Sequence, residues 1–462
     1  MRLCGQRIQS FCHRASYSTV KPRLDYKKLT ETLEEWVQNV RNRMCDANPE
    51  RVVALYQHQR TLKTELNHLR ARRNVFVQHV KSTKSQHVAT TNDLSEEMQR
   101  NGKQLRETII CKEKKLEQVT SELELEAMNL PNDTHPNTPI GAEDASKLLV
   151  SYGQKPRFDF AVKDHSDLMH DLGLIDTISG AKVAGSKFIY LRNEAAMLEI
   201  ALVQYTLQKL RHRGFEIVFP PDVAQSSLIE GCGFQPRGEA TQIYSIADSD
   251  LCLTATSEIT LAGMKTNEIL PTNDLPLKYA AFSHCFRTEI GHGGRPTRGM
   301  YRIHQFSKVE MFAFCANVTQ SEHFFQEMLT IQCEMYQELG LHFNVVEMAT
   351  QELGAPAHRK LDILAWMPGR KEYGEISSLS YCTDYQARRL NIRHKANKKD
   401  SAAFVHTLNG TACAVPRLLI ALFESYQQED GSVRIPVVLQ PFLGMQADIR
   451  RPSRSIEKAK IR

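Results

Sequence analysis

The residues best suited to chemistry lie between Phe286 and Glu310. Phe286-Arg287-Thr288-Glu289 is followed by a stretch rich in glycine (Gly291, Gly293, Gly294), then by Arg298-Gly299-Met300-Tyr301-Arg302-Ile303-His304-Gln305-Phe306-Ser307-Lys308-Val309-Glu310. Charged and apolar residues alternate on strand-like segments on both sides of the glycines. Side chains two apart on a strand share a face, so Arg302, His304 and Phe306 stand together, with Lys308 and Glu310 continuing the row. Such a row of cations and carboxylates is costly to bury without ligands or partners. A surface hairpin with crossed ion pairs is the plainer alternative, and the His, Gln and Phe recurring among the charges argue against it. Neither a G-x-G-x-x-G nor a G-x-x-x-x-G-K-[ST] run occurs, so neither usual nucleotide-binding loop applies.

Other polar runs accompany this one: Thr256-Ser257-Glu258, Glu375-Ile376-Ser377-Ser378, Asp384-Tyr385-Gln386-Ala387-Arg388-Arg389, and His406-Thr407-Leu408-Asn409-Gly410-Thr411 with Arg417 beyond it. Jointly they resemble the seryl-tRNA synthetases. Phe286 to Glu289, the loop, and Arg302-x-His304-Gln305-Phe306-x-Lys308-x-Glu310 resemble motif 2 of that family. Gly214-Phe215 through Pro220-Pro221 resembles motif 1, and His406 to Thr411 with Arg417 resembles motif 3. The resemblance covers nearly the whole chain after its first residues, including a Pro-Asn-x-x-His-Pro linker from Pro131 to Pro136. The wording Thr411-Ala412-Cys413-Ala414-Val415-Pro416-Arg417 is most similar to the mitochondrial animal branch.

The resemblance implies a class II aminoacyl-tRNA synthetase, a serine–tRNA ligase that joins serine to ATP as seryl-adenylate and passes the seryl group to a serine tRNA. The implied fold is α+β: an antiparallel-sheet catalytic domain preceded by an antiparallel coiled-coil helical hairpin. In-line attack at the α-phosphate needs positioning and charge neutralisation rather than a protein nucleophile. Arg287 would hold the α-phosphate and the serine carboxylate, a task suited to a planar fork, and Arg417 would meet the γ-phosphate. Phe306 would stack on adenine, with Ile303 and Glu289 at the base; Thr288, Ile376 and Ser377 complete the implied ATP contacts. Glu375 and Ser378 would hold Mg²⁺ on the phosphates, a hard cation that takes oxygen ligands; no zinc is expected. Serine would be held by Thr256, Glu258, Arg287 and Glu310, with Asn409 and Thr411 beside its hydroxyl. Such a site rejects alanine because its own polar groups would be left unpaired. A homodimer, or a heterodimer with a paralogue, is the implied assembly.

Three positions depart from the family pattern. Leu364 stands where most relatives carry Glu, Tyr381 replaces the usual Asn, and Ser257 replaces Ala. The competing reading is a catalytically inactive synthetase-like paralogue acting as a binding or regulatory partner in mitochondria. Loss of catalysis would be expected to damage Arg287, Glu310, Glu375 or Arg417, and all four are present.

The elements that must position these groups are legible as patterns. From Tyr26 to Leu130 the chain is poor in Gly and Pro. Leu55, Leu62, Leu69 and Phe76 recur every seven residues, with Leu66 and Val80 beside them; Ile109, Leu116, Leu123 and Leu130 repeat the period, with Leu105 and Val119. Two such runs around the polar Lys81–Asp93 stretch read as an antiparallel helical hairpin over 25–130. Its first arm carries Arg51, Arg60, Lys63, Arg70, Arg72, Arg73, Lys81 and Lys84, a face able to line RNA phosphates or simply a solvated one. Pro131, Pro136, Pro139 and Gly141 mark a linker at 131–142. In the catalytic domain at 143–446, short apolar runs (Phe188 to Leu191, Ile217 to Phe219) alternate with helical stretches. The Asn193–Arg211 stretch places Ala196, Ile200, Val203, Leu207 and Leu210 on one face.

The 462 residues suffice for two or three domains, and no run approaches the ~20 apolar residues of a membrane span. The net charge of +6 permits a nucleic-acid partner without requiring one. Eleven cysteines without C-x-x-C spacing argue against a disulfide scaffold or a zinc site and imply a reducing compartment. Residues 1–24 carry Arg2, Arg7, Arg14, Lys21 and Arg23, with Ser10, Ser16 and Ser18 and no acid before Asp25. That is the composition of a mitochondrial transit peptide and implies the matrix. A basic tail is expected at 447–462.

Overall fold

The computed structural model describes residues 22–85, 92–235, 241–289 and 299–451. Residues 1–21, residues 86–91 of the polar 81–93 stretch, Gly291, Gly293, Gly294, Arg298 and residues 452–462 lie outside them.

Two short helices, α1 (Tyr26–Glu31) and α2 (Leu33–Asn42), precede two long ones, α3 (Pro49–Ser85) and α4 (Asn92–Met128). The heptad positions Leu55 and Leu62 pack with Val119 and Leu123 in one cluster, and Leu66 and Ile109 are buried as well. Leu69, Phe76 and Leu105, nearer the tip, are only half-buried. At the base, Val52, Leu55, Ala127 and Leu130 pack with Leu29, and Trp36 lies against them. The basic face of α3 is partly consumed inside the hairpin. Arg70 pairs with Glu113 at 2.7 Å and Arg51 pairs with Glu122, while Arg72, Arg73 and Lys81 stay exposed.

The catalytic body is built on one sheet. Its strands are β1 (Lys147–Tyr152), β2 (Glu216–Val218), β3 (Leu277–Phe286), β4 (Gln305–Cys315), β5 (Phe343–Glu347), β6 (Arg359–Met367), β7 (Glu372–Tyr381) and β8 (His406–Ala414). They lie in the order β1-β5-β6-β7-β8-β4-β3-β2, antiparallel throughout except for the β2–β3 pair. Alternation along β4 divides the core. Val309, Met311 and Ala313 point to one face, under α5 (Asn193–His212), α7 (Val318–Glu338) and α9 (Val415–Tyr426). Phe312 and Phe314 point to the other, under α6 (Ser257–Gly263) and α8 (Tyr385–Leu390), which leave the rest of that face open.

Two sequence expectations are corrected. The strand through the motif 2 residues begins at Gln305, so Arg302 and His304 precede it on bends. There the chain spends its backbone bonds elsewhere: His304 N–H donates to Lys187 O at 3.3 Å. Helix α5 turns only part of the expected face to the core: Leu210 is buried and Val203 and Leu207 pack against it. Ala195, Leu198, Leu202 and Tyr205 are buried, whereas Ile200 is half exposed. The helix is apolar on more than one side, so periodicity alone could not choose which side meets the sheet.

Candidate active site

The open sheet face holds a cleft of about 720 Å³. Phe306, Lys308 and Glu310 project into it from β4 because they share one parity on the strand. Arg287, just past β3, donates its N–H to His304 O at 2.9 Å and so closes the base of the loop joining β3 to β4. The other side of that base is tied into the core: Met300 N–H donates to His165 Nε2 at 3.3 Å, and His165 Nδ1 lies 3.0 Å from Glu424 Oε1. Gly299 is required there, since it sits at φ +73° and a Cβ would stand 2.2 Å from His165 Nε2.

Strand β7 contributes Glu375 and Ser378, three residues apart. On a regular strand they would face opposite ways. The register with β6 slips between them: Ile363 faces Ser377 and Leu364 faces Glu375, which leaves Ile376 unmatched. Glu375 and Ser378 therefore sit opposite Leu364 and Asp362, both on one side of β6, and share the cleft face. Ser377 turns the other way; its hydroxyl donates to Thr411 O at 2.6 Å and accepts from Gln332 at 2.8 Å. On β8 the regular register from His406 places Thr411 opposite Glu310, and a slip at Ala412 then brings Ala414 opposite Lys308. Arg417 then enters from the first turn of α9.

One end of the cleft is carboxylate-rich. Glu258 and Glu310 are both buried. Lys308 Nζ lies 2.6 Å from Glu310 and donates to Thr256 Oγ1 at 2.7 Å. Asn409 Nδ2 reaches Glu258 at 3.2 Å and Glu310 at 3.3 Å, and the Thr411 hydroxyl donates to Glu310 at 3.2 Å. Burial, reinforced by the Glu310 carboxylate, pushes the Glu258 carboxyl up to about 7 against the pull of Lys308, Gln386 and Arg287.

The other end is cationic. Arg417 pairs with Glu375 at 3.0 Å, and its guanidinium lies 4.9 Å from the centre of the Tyr301 ring. Burial pushes Glu375 upward, but Arg417, Lys360 and Arg287 outweigh it and hold the carboxyl down at about 2. Its side chain is 36% exposed, so water screens the pair. Beside it Lys360 binds Asp362 at 2.8 Å, and the buried Asp362 Oδ1 has no hydrogen-bond partner among the described residues.

The structure thus brings into one cleft Thr256, Glu258, Arg287, Glu289, Ile303, Phe306, Glu310, Glu375, Ile376, Ser377, Ser378, Asn409, Thr411 and Arg417. Thr288 is not part of its lining: its hydroxyl donates to Thr241 O at 2.6 Å and its N–H to Gln242 O at 3.1 Å. Sequence reasoning gave no role to Lys360, Asp362 or Tyr301. The alternation Lys360-x-Asp362 opening an otherwise apolar strand was the available signal for the first two.

Comparison with known proteins places the two parts of the chain in named families. The model of the seryl-tRNA synthetase N-terminal domain matches residues 24–134, and that of the tRNA synthetase class II core domain (G, H, P, S and T) matches residues 243–426. The serine–tRNA ligase of Treponema denticola is 45% identical over 91% of this chain and 99% of its own length. The chain belongs to the seryl-tRNA synthetase family. The ligase of Rubrobacter xylanophilus is 44% identical over 92% of this chain and 98% of its own. Among solved structures, seryl-tRNA synthetase from Pyrococcus horikoshii complexed with ATP superposes with a TM-score of 0.85 at 33% identity, covering 93% of this chain and 100% of that one. The cytoplasmic serine–tRNA ligase of Naegleria fowleri in complex with AMP gives 0.81 at 26% identity, covering 93% and 99%.

Within a seryl-tRNA synthetase the departing residues gain meaning from where they lie. Neither Leu364 nor Tyr381 lines the cleft. Leu364 stands directly across from Glu375 on the neighbouring strand, where a Glu would add a second carboxylate. Tyr381 lies at the far end of β7 and donates to or accepts from His406 Nδ1 at 2.8 Å. Ser257 opens α6 fully buried beside Glu258, where Ala would leave no hydroxyl to satisfy.

Proposed function

We propose that this synthetase is an active serine–tRNA ligase of the mitochondrial matrix that forms seryl-adenylate and charges mitochondrial serine tRNA. The observation that carries the reading is the cleft itself, with buried carboxylates and hydroxyl partners at one end, the Arg417–Glu375 pair at the other and Arg287 between. Glu258 and Glu310 suit an ammonium, and Asn409 and Thr411 suit a hydroxyl. Arg287 suits the two anions that must meet, the serine carboxylate and the α-phosphate. Attack of a serine carboxylate oxygen on the α-phosphorus expels pyrophosphate and forms the mixed anhydride; the cations neutralise charge and the rigid sheet sets the line of approach. Phe306, beneath the Arg287 guanidinium at 5.3 Å, offers a ring for adenine. The inactive-paralogue reading is disfavoured because the departures at Leu364 and Tyr381 fall outside the cleft.

Mg²⁺ would come with ATP. Glu375 and Ser378 offer oxygen donors of the kind a hard cation takes, and Asp362, opposite Ser378 on β6, has an Oδ1 without a partner among the described residues. The ion would supply charge neutralisation on the phosphates, and Arg417 would leave Glu375 for the terminal phosphate as the nucleotide entered.

The hairpin α3–α4, with Arg72, Arg73 and Lys81 exposed, suits a tRNA backbone. The exposed apolar side chains Ile178, Val183, Tyr190, Met197, Ile200 and Phe219 along the motif 1 region suit a dimer interface. The acid-free leader supports the matrix, and a reporter fused to residues 1–24 should enter mitochondria. The deciding experiment is serine-dependent exchange of labelled pyrophosphate into ATP. Exchange with serine and none with alanine is expected; no exchange with any amino acid would sink the enzymatic reading.

A further inference from the structure

A residue outside the cleft lining touches its carboxylate end. Gln386, on α8, is fully buried. Its Nε2 donates to Glu258 Oε1 at 2.7 Å, and its Oε1 accepts from the Thr407 hydroxyl at 2.6 Å. The Thr407 bond orients the amide: with the carbonyl oxygen engaged by a donor, the NH₂ must face the carboxylate. We propose that Gln386 is a positioning residue that keeps Glu258 ionised and aimed as the acceptor for the serine ammonium, an inference resting on the reading of Glu258 above.

The surroundings of Glu258 show why one neutral donor matters. Glu310 and Lys308 face it from β4, Arg287 from the end of β3 and Asn409 from β8, with the buried thiols of Cys232 and Cys382 near by. Lys308 is already held by Glu310 and Thr256. Asn409 divides one amide between Glu258 and Glu310 at 3.2 and 3.3 Å. Gln386 makes the shortest of these bonds to Glu258. With burial and Glu310 pushing the carboxyl up to about 7, its charged form is finely balanced near neutral pH. A hydrogen bond to the charged form favours it, and a protonated Glu258 attracts no ammonium.

The test uses the full chain and pyrophosphate exchange, with kcat/KM for serine and KM for ATP followed between about pH 6 and 8.5. In the unaltered enzyme kcat/KM for serine should fall as the pH drops through about 7. In Gln386→Leu that fall should move to higher pH, with KM for serine raised about tenfold or more at pH ~7.5 and KM for ATP unmoved, as expected for losing a charge-assisted bond. Thr407→Val, which leaves Gln386 in place but frees its amide to turn, should move the profile the same way by less. It decides the matter should Gln386→Leu not fold. Unmoved serine profiles in the folded variants, or equal losses in serine and ATP KM, would overturn the proposal. Glu258→Gln separates the two levels: an unchanged KM for serine there overturns the ammonium assignment itself, whereas a raised one with unmoved Gln386 and Thr407 variants overturns only the positioning role.

Discussion

Tyr381→Asn restores the residue most relatives carry, and the structure says it should damage stability without improving catalysis. The Tyr381 side chain is 4% exposed, and its ring centre lies 5.6 Å from that of His358, 5.9 Å from His406 and 6.4 Å from Phe325. Replacing a buried ring by Ala costs about 3–5 kcal/mol; Asn refills part of the volume, so the expected loss is about 3 kcal/mol. Tyr381→Phe keeps the ring and loses the hydroxyl's bond to His406 at 2.8 Å, an expected loss of about 1 kcal/mol. Tyr381 and Trp36 line one cavity of about 350 Å³ between the N-terminal helices and the catalytic body. Of the chain's 2 tryptophans Trp36 lies at this junction and Trp366 on β6, so fluorescence in a urea titration follows unfolding of both parts. Serine-dependent exchange per folded molecule should stay unchanged in both variants, because the cleft lies elsewhere. An Asn variant as stable as the natural chain, or one several-fold more active, would refute the reasoning.

Arg417→Ala should remove most exchange activity, by about 10²–10³-fold for one lost preorganised charge contact, read as kcat/KM for ATP. It should also raise the acid-unfolding midpoint. Glu375, ordinarily near 4.5, is held down at about 2, so it adds stability above its unfolded value that is lost as pH falls through its folded one. Without Arg417 that loss comes at a higher pH; with a side chain 36% exposed the effect at neutral pH is about 1 kcal/mol. Truncating the hairpin by rejoining Leu62 to Leu116 spares the base that packs on Leu29 and Trp36. It should leave serine activation intact while weakening tRNA charging and flattening the salt dependence of tRNA binding; equal tRNA affinity would overturn the assignment. Light scattering should report twice the chain's mass, and Ile200→Glu, on the exposed side of α5, should yield monomer; a natural chain already monomeric at micromolar concentration would refute the interface.

The amino-acid sequence by itself determined the hairpin, since a seven-residue apolar period specifies two helices that bury Leu62 and Leu123 against each other. It also marked residues that meet in the cleft, because Arg287, Glu310, Asn409 and Arg417 sit in runs too specific to arise singly. What it left open follows from two physical facts. Period-two alternation holds only on an unbroken ladder, and the slips at Ile376 and Ala412 break it. They turn Glu375 toward the face of Ser378 and bring Ala414 opposite Lys308, which no parity argument could foresee. Contacts between residues far apart in sequence, moreover, are decided by the sheet order. Gln386 meets Glu258 across 128 positions, and His165 meets Glu424 across 259, because β8 lies between β7 and β4 and draws α6, α8 and α9 around one cleft. The same packing spends the hydroxyl of Thr288 on Thr241 and chooses which apolar side of α5 is buried. Side-chain type is local, but the face, partner and protonation of each group belong to the tertiary structure.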